Sequence, residues 1–280
     1  MRTFWIIFGA GTQILFALTV SRLFPFLQGG HPRLGLLSGH ADLATRWYWV
    51  DALLAAQFAI LHSWLLLPQT RQRLERWVPS PQYGCFFCVA TCLSLLLAIE
   101  TWQPSPLALW RFTGAARTVV QVAFVLTWGA LFYSLSLTGL GYQTGWTPWW
   151  AWVRGKKPPP REFRPIGAYH ILRHPIYLSF LGLVWLTPIM SLDRAVLTAV
   201  WTLYIFVGSY LKDRRLLFYL GDVYRRYQAR VPGYPLFFWG PLARVSLREA
   251  EYSKTGLGLP GPRSPEARVA SSSVTRGAAA

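Results

Sequence analysis

Pro175-Ile-Tyr-Leu-Ser-Phe-Leu-Gly-Leu-Val-Trp-Leu-Thr-Pro-Ile-Met190, followed by Ser191-Leu192-Asp193 and then Arg194-Ala-Val-Leu-Thr-Ala-Val-Trp-Thr-Leu-Tyr-Ile-Phe-Val-Gly-Ser-Tyr-Leu211, decides the fold. Two windows here, 174–192 and 195–211, contain no Asp, Glu, Lys or Arg. At a rise of about 1.5 Å per residue, the shorter one reaches about 26 Å as a helix, enough to cross a hydrocarbon layer. The joint Ser191-Leu192-Asp193 holds only three residues, so the pair reads as a tight helical hairpin whose outer ends return to one side. Four more charge-free windows lie at 3–21, 52–70, 77–99 and 118–153.

Composition agrees. Of 280 residues, 53% are apolar and 14% charged, against about 25% charged in an ordinary soluble domain. Yet 28 Lys and Arg face 11 Asp and Glu, a net charge of +17. That excludes an acidic disordered chain. A nucleic-acid binder could use the charge but has no reason to carry six membrane-length apolar windows. The expectation is an all-α, polytopic helical membrane protein with five to six transmembrane helices. Spans are expected at about 4–24, 48–67, 83–102, 119–140, 175–190 and 194–211. A C-terminal hairpin and an amphipathic interfacial helix complete the architecture.

With six spans, 22 of the 28 basic residues fall on one side and 6 on the other. Basic residues in short loops mark the cytoplasmic side, so both termini are expected there. The first apolar run follows a single charge, Arg2, and no clear small-x-small cleavage site follows it, so it reads as a span rather than a signal peptide. Residues 1–240 read as a single membrane-embedded domain. Residues 241–280 read as a cytoplasmic tail, disordered from about 253, where Gly, Ser, Ala, Pro and Arg dominate.

Cys85, Cys88 and Cys92 share one helix face, and read as small polarizable packing residues rather than a metal or redox cluster. His170 and His174 are spaced for a helix face, but Arg173 between them disfavours a cation, and no metal is expected. Polar residues gather instead at the mouth of the hairpin, around Tyr169, Arg173, His174, Pro175 and Tyr177. Pro175 suits a first helical turn and pushes His174 out of the helical region. The exposed N–H groups of that turn, beside Arg173 and His174, form a candidate anion site. Forty residues after Arg173 come Lys212 and Asp213, then Asp222, Tyr224, Arg225 and Tyr227. Arg and His beside a span also serve simply as headgroup anchors, and the residue types alone leave both readings open.

Arg173-His174-Pro175-Ile-Tyr177, Gly221-Asp-x-Tyr224-Arg225-x-Tyr227 and Val231-Pro232 together resemble the integral-membrane methyltransferases. That superfamily includes isoprenylcysteine carboxyl and phospholipid N-methyltransferases. The likeness is greatest to the methanethiol S-methyltransferases and their NnrU relatives. His62-Ser63, Leu135-x-x-x-Gly139-Leu-Gly-Tyr-Gln143 and Phe163-Arg164-Pro-x-Gly167-x-Tyr169 support that branch, and the likeness spans about 1–240. It implies S-adenosylmethionine as methyl donor and a small thiol such as methanethiol as acceptor, with membrane lipids as surroundings and no nucleic acid. Alternatives are an isoprenylcysteine carboxylate or a phospholipid amine as acceptor, or a non-catalytic NnrU-like protein. Tyr169, Arg173, His174, Pro175, Tyr177, Asp213, Tyr224 and Arg225 would hold the cofactor. His62 would orient the substrate or accept its proton, and Asp213 would join it as a catalytic residue. The family usually has paired glutamates where this chain has Lys212-Asp213. The implied location is the bacterial inner membrane.

Overall fold

The computed structural model describes residues 1–30, 47–160 and 162–245. The expected disordered tail from about 253 lies outside them, as do Arg33 and Arg46 of the orientation count. Ten helices and one two-stranded sheet are assigned among the described residues. They are α1 (Arg2–Leu27), α2 (Trp47–Leu65), α3 (Pro68–Leu74), α4 (Tyr83–Thr101), β1 (Ala108–Arg111), α5 (Gly114–Leu137), α6 (Leu140–Gln143), α7 (Trp146–Val153), α8 (Pro175–Trp185), β2 (Ile189–Ser191), α9 (Leu192–Leu220) and α10 (Asp222–Arg230).

Four helices are long and apolar enough to cross a membrane, and a fifth span is reached if the pair α2 and α3, bent by 76°, counts as one. The chain is thus an all-α integral membrane protein. The bend has a local cause: Pro68 opens α3, and a proline both lacks the N–H that would continue α2 and disfavours helical geometry at the residue before it.

The hairpin departs from its expected form in its first arm. Residues 175–190 were expected to be one helix, but α8 covers only 11 residues. Pro188 cannot donate into a helical ladder, and the segment beyond it becomes β2, antiparallel to β1. The second arm departs the other way, because α9 runs on from the expected end at Leu211 to Leu220. It therefore carries Lys212 and Asp213 on a helix rather than a loop.

The described chain divides into two compact units. The first comprises 1–168 and 175–208. In it α4 packs against α1 and α2, and α5 against α8, around a core that includes Phe26, Trp102, Phe124, Trp128, Leu183 and Leu197. Asp193 and Arg194, expected in a solvent-side joint, are buried and tie helix ends together. Asp193 accepts from the Trp102 indole (2.9 Å) and the Ser105 amide (3.0 Å). Arg194 donates to the carbonyls of Phe26 (2.6 Å) and Leu27 (3.3 Å), where the negative end of the α1 dipole meets a cation. The three cysteines are buried on α4, with the Cys88 and Cys92 sulfurs 4.0 Å apart.

One close approach in this unit is backbone on backbone. A Cβ on Gly84 would stand 2.7 Å from the Cα of Gly145. Gly145 itself has φ of 78° and caps the start of α7. A side chain there faces both an unfavourable backbone region and the backbone of Gly84 and Cys85. Gly145→Ala is expected to cost about 3 kcal/mol from left-handed strain and overpacking together, read as a lowered Tm in detergent. Gly11→Ala, where an added Cβ meets nothing within 4 Å, is expected to hold or slightly raise it.

Candidate functional site

The second unit comprises 169–174 and the chain from Ser209 on. Its centre is Arg173, 2% exposed, with His174 at 0% and Asp213 at 3%. His174 was expected at an open helix mouth; the fold closes it off. A guanidinium cannot shed its charge and must be paired where it is buried. The Arg173 Nη2 lies 3.3 Å from Asp213 Oδ2 and donates to the carbonyls of Pro241 (3.1 Å) and Ala243 (3.0 Å). His174 Nε2 is 3.1 Å from the other Asp213 oxygen. That same oxygen accepts a short hydrogen bond from the Tyr224 hydroxyl.

Local sequence explains the approach. Gly221, at φ 54°, breaks the chain between α9 and α10. Tyr224 on α10 can then reach back to Asp213 on α9. The Arg173 amide donates to the Pro232 carbonyl (2.9 Å), and the Tyr227 hydroxyl to the Tyr169 carbonyl (2.6 Å). These bonds fasten 169–174 onto the α10 segment. Gly233 packs so closely that a Cβ would stand 3.1 Å from the His174 ring and 3.2 Å from Arg173.

Electrostatics follow from burial. Burial is the main force lowering the His174 pKa, with Lys212 and Arg173 adding to it and Asp213 opposing it. The imidazole is therefore neutral at pH 7. Burial, then the neighbouring Asp213 charge, push the Tyr224 phenol upward, so it remains a donor. Lys212 lies with its ammonium 5.9 Å from the centre of the Tyr169 ring. On the Arg173 side chain, Nε and Nη1 are buried with no hydrogen-bond partner among the described residues. The three N–H groups on these two nitrogens of a buried cation are thus left without a protein acceptor among the described residues.

Tyr169, Arg173, His174, Asp213 and Tyr224 are brought together. Arg225 instead pairs with Asp222 one turn away, at 3.9 Å. Pro175, Tyr177 and His62 belong to the first unit. There the Tyr177 hydroxyl reaches the Gly208 carbonyl at 3.5 Å. His62 Nδ1 shares a 2.6 Å hydrogen bond with the Tyr204 hydroxyl and rests edge-on against Phe87. Sequence reasoning did not find Tyr204, Tyr234 or the Pro241 and Ala243 carbonyls. Tyr234, whose ring centre lies 5.6 Å from that of His174, had only its neighbour Pro232 as a signal.

No protein-family model matches the chain, and no solved structure does. Curated relatives do. Methanethiol S-methyltransferase 1 of Bradyrhizobium diazoefficiens is 31% identical over 237 residues, covering 80% of this chain and 79% of the relative. The methanethiol S-methyltransferase of Pseudomonas deceptionensis is 31% identical over 183 residues, 65% of this chain and 70% of its own. Nurim of Rattus norvegicus is more distant, at 24% over 245 residues, 81% of this chain and 92% of its own.

Two outcomes test the cluster. Asp213→Asn strands the Arg173 charge, with an expected loss of about 3–5 kcal/mol in unfolding free energy. Adding Arg173→Met is expected to cost much less than the sum of the single variants, read by thermal unfolding as a double-mutant cycle. A depressed His174 pKa means the unfolded state binds more protons just below the ordinary value of about 6.5. Stability is therefore expected to fall as pH drops through 6.5 toward 5. His174→Gln should flatten that slope, measured as Tm against pH.

Proposed function

The chain belongs to the methanethiol S-methyltransferase family, and from that premise we propose that it transfers a methyl group from S-adenosylmethionine to the sulfur of methanethiol, releasing dimethyl sulfide. The observation that carries the donor half is the buried Arg173 guanidinium, whose Nε and Nη1 have no protein acceptor among the described residues. A buried cation with open donors fits a carboxylate, and the donor carries one on its amino-acid end. The acceptor half rests on what the relatives are named for.

Arg173 would hold the carboxylate, with its angle fixed by Asp213 and by the Pro241 and Ala243 carbonyls. His174, neutral, and Tyr169 and Tyr224 would complete the polar wall. The resemblance assigns supporting roles also to Pro175, Tyr177 and Arg225. When bound, S-adenosylmethionine supplies a methyl group already activated on a sulfonium. The protein then has little bond-making left to promote, and orientation together with exclusion of water supplies most of the acceleration. One proton must leave the thiol. We assign its acceptance to His62, whose Nδ1 is held by Tyr204, and Asp213 serves by fixing Arg173 and His174.

The functional domain would run past the expected boundary at residue 240, because the Pro241 and Ala243 carbonyls hold Arg173. A bacterial inner-membrane location follows the family resemblance, and both termini are assigned to the cytoplasm on the 22-to-6 division of basic residues that a six-span reading gives.

Membranes containing the protein, given methyl-labelled donor and methanethiol, are expected to release labelled dimethyl sulfide. His174→Ala should abolish it, and wild-type membranes yielding no product would sink the thiol assignment. His62→Ala is expected to lower turnover at pH 7 by about 10²-fold, the usual scale for a lost general base. The deficit should shrink as pH approaches the thiol's own ionisation, near 8.5 or above. Tyr204→Phe should produce a smaller deficit of the same pH form.

A further inference from the structure

Between Tyr234 and Ala243 the second unit presents Pro235-Leu-Phe-Phe-Trp-Gly-Pro-Leu242. Both stems are fixed. Tyr234 and Ala243 are buried, the Gly233 amide donates to the Leu242 carbonyl at 2.9 Å, and the Pro241 and Ala243 carbonyls grip Arg173. The tip is the opposite. Leu236 is 82% exposed, Phe238 75% and Trp239 83%. Leu236 is also the only non-glycine residue with positive φ among the described residues, at 67°.

A left-handed leucine is strained, and large exposed apolar groups in water are a solubility cost. Such a combination persists where something outside the protein rewards it. Three features identify what that is. The last residues of α9, a helix long and apolar enough to cross a membrane, belong to this unit. The same unit exposes Phe218 and Tyr219 at the end of α9. Its surface is basic, with Arg214, Arg226, Arg230 and Arg244 among the residues that face solvent. Aromatic and leucine side chains flanked by arginines match the boundary between acyl chains and anionic headgroups.

We propose that Leu236, Phe238 and Trp239 form a membrane-insertion tip that seats in the headgroup–acyl boundary of an anionic bilayer. Its stems transmit that anchoring to the two carbonyls that hold Arg173. The insertion itself stands apart from the methyl-transfer reading, and so does its test.

Trp239→Cys and, separately, Phe238→Cys are spin-labelled in the full chain, the native cysteines being buried and slow to react. The protein is reconstituted in vesicles of phosphatidylcholine containing phosphatidylglycerol. Collision rates are then measured with oxygen, which concentrates in lipid, and with a water-soluble nickel chelate. The expected result is oxygen exceeding nickel at 238 and 239, with the order reversed at a label on Arg226→Cys. Nickel exceeding oxygen at the tip would place it in water and overturn the proposal. Low access to both reagents would mean that protein covers the tip, a second copy or the residues after 245, and would overturn it equally. Neither outcome depends on turnover.

Discussion

A guanidinium shut away from water has to be neutralised where it stands, and in this chain that duty falls on Asp213. Arg173 is one of the largest fully buried side chains in the described structure. It is held by one carboxylate and two backbone carbonyls. Everything in the second unit is arranged around that requirement. α9 must stay helical past its apolar stretch to present Asp213. Gly221 must break the helix so that Tyr224 can return to the same carboxylate. Gly233 must be bare so that the chain can pass over His174 and Arg173. A buried ion pair is a weak source of net stability, so its value lies in fixing the direction of the remaining Arg173 donors.

The first unit meets a different constraint. Against lipid, backbone groups have no water to fall back on, so every helix end must be satisfied internally. Here the break in the first hairpin arm and the end of α1 are both resolved by protein. β2 takes its partner from β1, and Arg194 covers the last carbonyls of α1. The small residues at Gly84 and Gly145 allow α7 to come against α4, and the Trp149 indole then closes onto the Trp5 carbonyl at 2.9 Å. Packing at this closeness substitutes for a hydrophobic drive that is absent between helices in hydrocarbon.

The long helices were legible because charge exclusion is a strong signal: the helices α1, α4, α5 and α9 each contain a charge-free stretch of 17 to 20 residues and pick up charge only toward their ends. The Arg173-His174-Pro175 mouth was legible because Pro175 marks a helix start and polar residues gather beside it in an otherwise apolar chain. What was not legible is contact with backbone. Pro241 and Ala243 act through carbonyls that every residue possesses, so nothing in their side chains announces the role. The same holds for β2, whose residues read as an apolar span until Pro188 is weighed against it. Arg225 shows the converse. Its helical spacing from Asp222 was visible, and that local pair, rather than the cluster, is where it sits.

Lys212 is the residue whose consequence depends most on geometry. Read as a dipeptide, Lys212-Asp213 puts a cation beside the carboxylate that neutralises Arg173. On a helix, neighbouring residues diverge by about 100°. Asp213 turns to Arg173 and His174 while the Lys212 ammonium lies toward the Tyr169 ring. Lys212 still acts through space, helping to hold His174 neutral. With His174 neutral, Arg173 and Lys212 set two positive charges against the single negative charge of Asp213. The cluster is left electropositive, a sign that suits the carboxylate end of the proposed donor alone and not its ammonium or sulfonium. In this chain a lysine at 212 is therefore compatible with the proposed donor site, because the helix directs its charge around the pair rather than through it.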